Sequence, residues 1–256
     1  MVDIHSHILP GLDDGAQTLE ESVAMLRIAA ESGTTDIVAT PHANVEYTFD
    51  PEVVSAKIRE VQEAVGSLIR IHAGCDFHMK FDLIEDLFQN PTRYTINGKG
   101  YLMVEFSDLI ILPTTDVVFD RMNSAGIVPV VTHPERNPLL QQRLDQLERW
   151  ARNGVLLQIT AQSLLGRFGP TAKRVSDQLL DRNLVHFVAS DAHDTEDRTP
   201  RLDLARQYVS KHWGESRADR LFRRNPAAVL KGEPLPAPEE TEMTGRRKRK
   251  WYQFWA

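Results

Sequence analysis

The stretch Asp3-Ile4-His5-Ser6-His7-Ile8 places two imidazoles two residues apart. On an extended chain such residues point to the same side, so His5 and His7 aim at one spot and Asp3 begins the same row. A pair of this kind is equally at home on a hydrogen-bonded polar face, and the other ionisable residues must decide between that and a metal site. Those residues recur at the ends of apolar stretches. Asp13 and Asp14 follow the first stretch, His42 closes VATPHA, and Asp76 and His78 close HAGCDFH. Glu105 closes MVEFS, His133 closes VVTHPER, and Asp191 and His193 close VASDAHD; only LQITAQ ends without an ionisable group. Neighbouring carboxylates repel and buried charge is costly unless paired, and divalent cations relieve both problems together. Imidazole and carboxylate without thiolate suit Mn, Fe or Zn better than Ca or Mg. The candidates outnumber the needs of one ion, so a carboxylate such as Glu105 is expected to bridge two ions, with ligands enough for a third.

Such residues do chemistry only if the fold gathers them. Seven apolar strands are expected to start near residues 2, 35, 69, 101, 127, 155 and 184, with helices between them. The first helix is announced by Thr18 and Glu21 at capping-box spacing, by Leu19, Val23, Leu26 and Ala30 at helical intervals, and by Gly33 at its end. Pro51 leads a second helix, and further helices are expected near 82–88, 114–125, 142–152, 170–182, 200–212 and 215–231. Strands alternating with helices imply βαβ units and a parallel sheet. No G-x-G-x-x-G and no P-loop follows a strand, which favours an irregular seven-stranded α/β barrel over an open nucleotide-binding sheet. In a parallel barrel all strand carboxyl ends open on one face, where active sites are built.

Bulk properties narrow the field. The 256 residues, 41% of them hydrophobic, can bury one large core, and no apolar run is long enough to span a membrane. The opening segment reads as a strand rather than a signal sequence, and the single Cys75 suits a reducing compartment, so a cytoplasmic location is expected. The net charge is −6 although Arg246 to Lys250 form a block of five positive charges, so the rest is strongly acidic and a poor partner for nucleic acid. The expected domain is residues 1–231; a flexible Pro/Glu-rich linker and the basic–aromatic end RRKRKWYQFWA fill 232–256 and are expected to offer peripheral contact to an anionic membrane. His72, His186 and His212 fall inside elements and read as structural; His78 stands open between the site and the surface. Cys75 lacks a C-x5-R loop and reads as packing.

DIHSHILPGLDDGA, DIVATPHA, THPERN, SLLGRFG and ASDAHDTEDRTP together resemble the bacterial PHP-superfamily protein-tyrosine phosphatases of the CpsB type, over residues 1–231. The resemblance implies a distorted (β/α)7 barrel, the PHP fold, with a manganese cluster, acting on membrane-associated tyrosine autokinases that control capsule or exopolysaccharide synthesis at the inner membrane face. It implies one ion on His5, His7, Glu105 and Asp191, a second on Asp76, Glu105 and His133, and a third on Asp14, His42 and His193. It also implies that Arg136 and Arg198 face the phosphate. The family more often carries glutamate where this chain has Asp76, which implies a less tightly held second ion.

The chemistry expected is phosphomonoester hydrolysis. The ions lower the pKa of water and clamp the phosphate, and arginine forks stabilise its equatorial oxygens. A tyrosine leaving group, with a pKa near ~10, needs little acid catalysis. Tyr47 and Phe49 in HANVEYTF stand near His42 and are read as flanks for a phenyl ring. The rival readings are a small-molecule phosphoesterase such as a histidinol-phosphate phosphatase and a non-catalytic kinase-binding regulator.

Overall fold

A computed structural model describes residues 1–238; the basic–aromatic end, expected to touch membrane, lies outside the described residues. The elements are β1 (Val2–Ser6), α1 (Leu19–Glu31), β2 (Asp36–Ala39), β3 (His42–Ala43), α2 (Pro51–Val65), β4 (Arg70–Ala73), β5 (Asp76–His78), α3 (Phe81–Gln89), β6 (Tyr101–Glu105) and α4 (Thr115–Ser124). They continue with β7 (Val128–Val131), α5 (Leu144–Arg152), β8 (Leu156–Thr160), α6 (Ala161–Leu164), α7 (Gly169–Asp181), β9 (Phe187–Ala189), α8 (Asp203–Trp213), α9 (Glu215–Asp219) and α10 (Asn225–Lys231). Every strand pairing is parallel. The result is an α/β fold whose parallel sheet curls.

The expected seven uninterrupted strands are drawn by the hydrogen bonds as nine. They form a three-stranded sheet, β1-β2-β4, and a six-stranded sheet, β3-β5-β6-β7-β8-β9. Two expected strands are each cut in two. Pro41 has no N–H to give the ladder, so DIVATPHA divides into β2 and β3. At the matching level Gly74 and Cys75 separate β4 from β5. A Cβ on Gly74 would lie 2.7 Å from Val38 Cγ1, so glycine alone lets the two interrupted strands pass at this distance. Beyond β9 the chain returns to β1: Asp191 N–H donates to His5 O at 2.9 Å and His7 N–H to Ala192 O at 2.8 Å.

Local signals act as expected in α1. Thr18 Oγ1 accepts from Glu21 N–H, and Glu21 Oε2 accepts from Thr18 N–H, closing the capping box. Met25, Leu26 and Ala29 form its buried face. Two apolar clusters hold the domain. One lies between sheet and helices and includes Ile37, Leu102, Leu157 and Trp150. The other gathers Val2, Ile4, Met103, Val130 and Phe187 with Val229 of α10. Met103 and Glu105 are two apart on β6 and so share a face, which sets the carboxylate above apolar packing. No helix among the described residues is long and apolar enough to cross a membrane.

Candidate metal centre

The nine expected ligands converge where the strands end. His5 and His7 come from β1, Asp14 from the following loop, His42 from β3, Asp76 from β5 and Glu105 from the last position of β6. His133 lies two residues past β7, and Asp191 and His193 follow β9. Four sets have ligand atoms within 4.8 Å of one another: His7-Asp14-His42-His193, His5-His7-Asp76, His5-His133-Asp191 and His42-Asp76-Glu105. The four sets are linked through His5, His7, His42 and Asp76, each of which belongs to two of them, and their division differs from the one the resemblance implied. His7 joins the Asp14 set, and Asp76 stands 3.2 Å from His42 and 3.6 Å from His5. Glu105 reaches His133 with one oxygen and His42 and His78 with the other, each at 3.5 Å. His78, left open by sequence, therefore stands at the edge of the centre.

Backbone conformation is unusual at two of these residues. His133 has φ +30° and Asp191 φ +51°, a region that residues with a Cβ enter only at a cost the surrounding structure must offset. At Gly15 the crowding runs the other way, since a Cβ there would lie 2.0 Å from His7 O. Glycine is required for the loop bearing Asp13 and Asp14 to fold back onto β1.

Hydrogen bonds that the sequence does not disclose fix the histidines. Asp13 Oδ2 accepts from His7 Nδ1 at 2.7 Å and from His42 N–H at 3.2 Å. Gln158 Oε1 accepts from His5 Nδ1 at 3.0 Å, and Asp191 O accepts from His193 Nδ1 at 3.0 Å. Each bond sets the tautomer and leaves Nε2 toward the centre, the arrangement that metal-ligating histidines use. The strand without an ionisable end thus contributes through a neutral amide in the middle of β8. Asp3 accepts from His5 N–H and Ser190 N–H and so ties β1 to β9 rather than joining the row of ligands.

The electrostatics are those of a site short of positive charge. Both oxygens of Asp76 and Nδ1 of His42 are buried without a hydrogen-bond partner; the 3.2 Å approach between them lacks hydrogen-bonding geometry. Burial alone would lower the pKa of His42, yet Asp14, Asp76 and Glu105 overcome it and raise it to about 11. His5 behaves alike, with Asp191 and Asp76 overcoming burial to raise it to about 9. Burial and the nearby Asp76 push Glu105 up to about 8. Burial also lowers His133 to about 3, helped by Arg136, and His193 to about 4, helped by His7. Orphaned carboxylate oxygens among converging imidazoles fit divalent cations, which need such donors and remove the mutual repulsion.

Arg136 and Arg198, expected to face a phosphate, both bond to one atom, Asp191 Oδ2, with Arg198 at 2.6 Å. The other oxygen of Asp191 lies 3.5 Å from His5 and from His7. About a quarter of each arginine side chain remains exposed, so each has an edge left for a ligand. The presumed ring flanks separate. Phe49 is buried and packs on Tyr94 at 5.4 Å, which closes its loop, while Tyr47 lies parallel to the His42 ring at 6.0 Å. Cys75 is wholly buried and its thiol pKa is pushed well up, chiefly by burial, so it packs as expected.

A curled parallel sheet bearing a cluster of imidazoles and carboxylates at its carboxyl ends defines a metal-dependent α/β protein. The family model for capsular polysaccharide synthesis, CpsB/CapC, matches residues 1–231, and the chain belongs to that family. It is 38% identical over 202 residues to the putative tyrosine-protein phosphatase CapC of Staphylococcus aureus, spanning 77% of this chain and 79% of the relative. It is 33% identical over 218 residues to the tyrosine-protein phosphatase YwqE of Bacillus subtilis, spanning 84% and 85%. Among solved structures, those of YwqE from Bacillus subtilis and CpsB from Streptococcus pneumoniae are described as unique metal-dependent tyrosine phosphatases. One such chain superposes with a TM-score of 0.86 at 29% identity, covering 94% of this chain and all of that one. A phosphotriesterase homology protein from Escherichia coli, at 13% identity and TM-score 0.56, shares the fold alone.

Proposed function

We propose that this chain is a metal-dependent protein-tyrosine phosphatase, a phosphoric monoester hydrolase. The observation that carries the reading is the buried, unpartnered Asp76 carboxylate among converging histidines, beside two arginines with free edges. In this reading residues 1–231 form one catalytic domain, a distorted barrel of seven staves in which β2/β3 and β4/β5 each count as one, followed by a tail. His5, His7, Asp14, His42, Asp76, Glu105, His133, Asp191 and His193 hold two or three ions, Mn2+ by preference. Ions so placed supply Lewis-acid stabilisation of phosphoryl oxygens and lower the pKa of attacking water. The chain's own part is to fix the geometry. Asp13 and Gln158 orient His7 and His5, and Arg136 and Arg198 turn forked donors to the phosphate. The partner is a phosphotyrosine protein, namely a membrane-associated tyrosine kinase of capsule or exopolysaccharide synthesis, met at the cytoplasmic side of the membrane.

Loading such a site is linked to protons. Without ions His42 and His5 stay protonated at neutral pH and Glu105 is largely so, and all three must lose a proton to ligate. Affinity is therefore expected to rise with pH through neutrality and onward past about 8 and 9, where Glu105 and His5 lose their protons unaided, with proton release on binding below that range. Calorimetric titration of the ion-free protein with Mn2+ at neutral pH, in two buffers of different ionisation enthalpy, measures this. Identical heats in both buffers would contradict it.

Substrate class is tested at Tyr47, whose ring is free to line a phenyl group. Tyr47→Ala is expected to lower kcat/KM for a phosphotyrosine peptide by about threefold to tenfold while leaving histidinol phosphate unchanged. The wild type is expected to favour the phosphotyrosine peptide over a phosphoserine peptide and over histidinol phosphate. A preference for histidinol phosphate would install the small-molecule rival instead.

A further inference from the structure

The segment SLLGRFG, residues 163–169, holds no expected ligand, yet it and its neighbour Gln162 touch both arginine-bearing loops. Phe168 lies beneath Arg136, with the guanidinium carbon 4.1 Å from the ring centroid. Ser163 Oγ donates to Glu135 Oε1 at 2.7 Å, and Thr160 N–H donates to the same oxygen at 2.9 Å. Glu135 is fully buried and immediately precedes Arg136. Gln162 Nε2 donates to Asp197 O at 2.8 Å, in the peptide unit preceding Arg198. Gly166 and Gly169, at φ +82° and +87°, turn the chain on either side of Phe168, a path that would strain residues with a Cβ.

We infer that this segment is the platform that positions the two arginines, and that Phe168 is the positioning residue for Arg136. The Phe168 ring holds the guanidinium by cation–π attraction, and having no lone-pair acceptor it claims none of the five N–H donors as a carboxylate would. It therefore restrains the position of the guanidinium while leaving its donors for Asp191 and a phosphate, which a second carboxylate could not do without occupying donors. An arginine side chain is otherwise highly mobile, and confining it beforehand lowers the entropy lost when the phosphate is gripped. Gln162 does the corresponding work for Arg198 through the backbone.

The inference rests on the arginine assignment proposed above, and the test separates the two. Full-length, metal-loaded protein is assayed on a phosphotyrosine peptide as wild type, Phe168→Leu, Phe168→Tyr, Arg136→Ala and the Phe168→Leu/Arg136→Ala double variant, with metal content measured for each. Phe168→Leu is expected to lower kcat/KM by about threefold to thirtyfold at unchanged metal content, and Phe168→Tyr to restore it. In the Arg136→Ala background Phe168→Leu is expected to cost nothing further, because a residue acting through Arg136 has nothing left to position. Wild-type kcat/KM in Phe168→Leu, or the same fold loss in both backgrounds, would overturn the inference. Arg136→Ala with wild-type activity would remove the arginine assignment itself. Gln162→Ala, cycled against Arg198→Ala, answers the same question if the Phe168 variant does not fold.

Discussion

Asp76→Asn is expected to strip metal from the protein and lower kcat/KM for phosphotyrosine by at least about a thousandfold. Asp76 belongs to two of the four ligand sets, one with His5 and His7 and one with His42 and Glu105. Its carboxylate is buried with neither oxygen hydrogen-bonded, and once His5 and His42 turn neutral to ligate, only a metal cation is left to take up its charge. Asparagine keeps the shape, removes that charge, and leaves an amide whose donors face imidazoles that should offer lone pairs to an ion. The fold should survive, because the isosteric amide keeps the packing and His5 and His42, which Asp76 helps to hold protonated in the ion-free site, can release their protons once its charge is gone. Elemental analysis beside a phosphatase assay measures both effects. A variant retaining its metal and its activity would remove Asp76 from the centre, and with it the reading of the orphaned oxygens.

Arg136→Ala and Arg198→Ala form the second large effect, each expected to raise the barrier by ~2–4 kcal/mol. Their shared hold on Asp191 Oδ2 gives the prediction structure. Asp191 lies well below the usual carboxylate range: burial works against this, but His5, His7 and Arg198 outweigh it. Removing one arginine leaves the other on that oxygen, so metal content should persist in each single variant while kcat falls. Removing both leaves Asp191 Oδ2 without those two donors, and metal should then be lost as well, making the double variant worse than the product of the singles. Lysine should not rescue either position, since a point charge cannot reproduce a fork spanning carboxylate and phosphate. Single alanine variants within about threefold of wild type would assign both arginines to holding Asp191 alone.

Which residues meet, and on which side of the fold, is already legible in the order of residues along the chain. Apolar runs, the Thr18–Glu21 capping box and Gly33 are local signals, and chain geometry converts them directly into strands and helices. Parallel βαβ order then sends every strand end to one face, so His5, His42, Asp76, Glu105, His133 and Asp191 could be placed together before any distance was known. Tertiary structure decided what depends on separations between distant parts of the chain. The interruption of two strands arises because Thr40-Pro41 and Gly74-Cys75 stand at matching levels of neighbouring strands, 34 positions apart in the sequence. The division of the ligands into sets, and the bonding of both arginines to Asp191, turn on distances between side chains from different strands and loops. Gln158 carries no signal that separates it from ordinary polar residues, and Asp13, although visible at a strand end, none that separates an orienting carboxylate from a ligand, because tautomer control needs only one oxygen facing one ring nitrogen. Tyr47 and Phe49 are two apart in one loop, and packing alone sent Phe49 onto Tyr94 and left Tyr47 over the His42 ring. Periodicity fixes which way a strand residue points, but a loop residue takes its direction from whatever surface it can bury against.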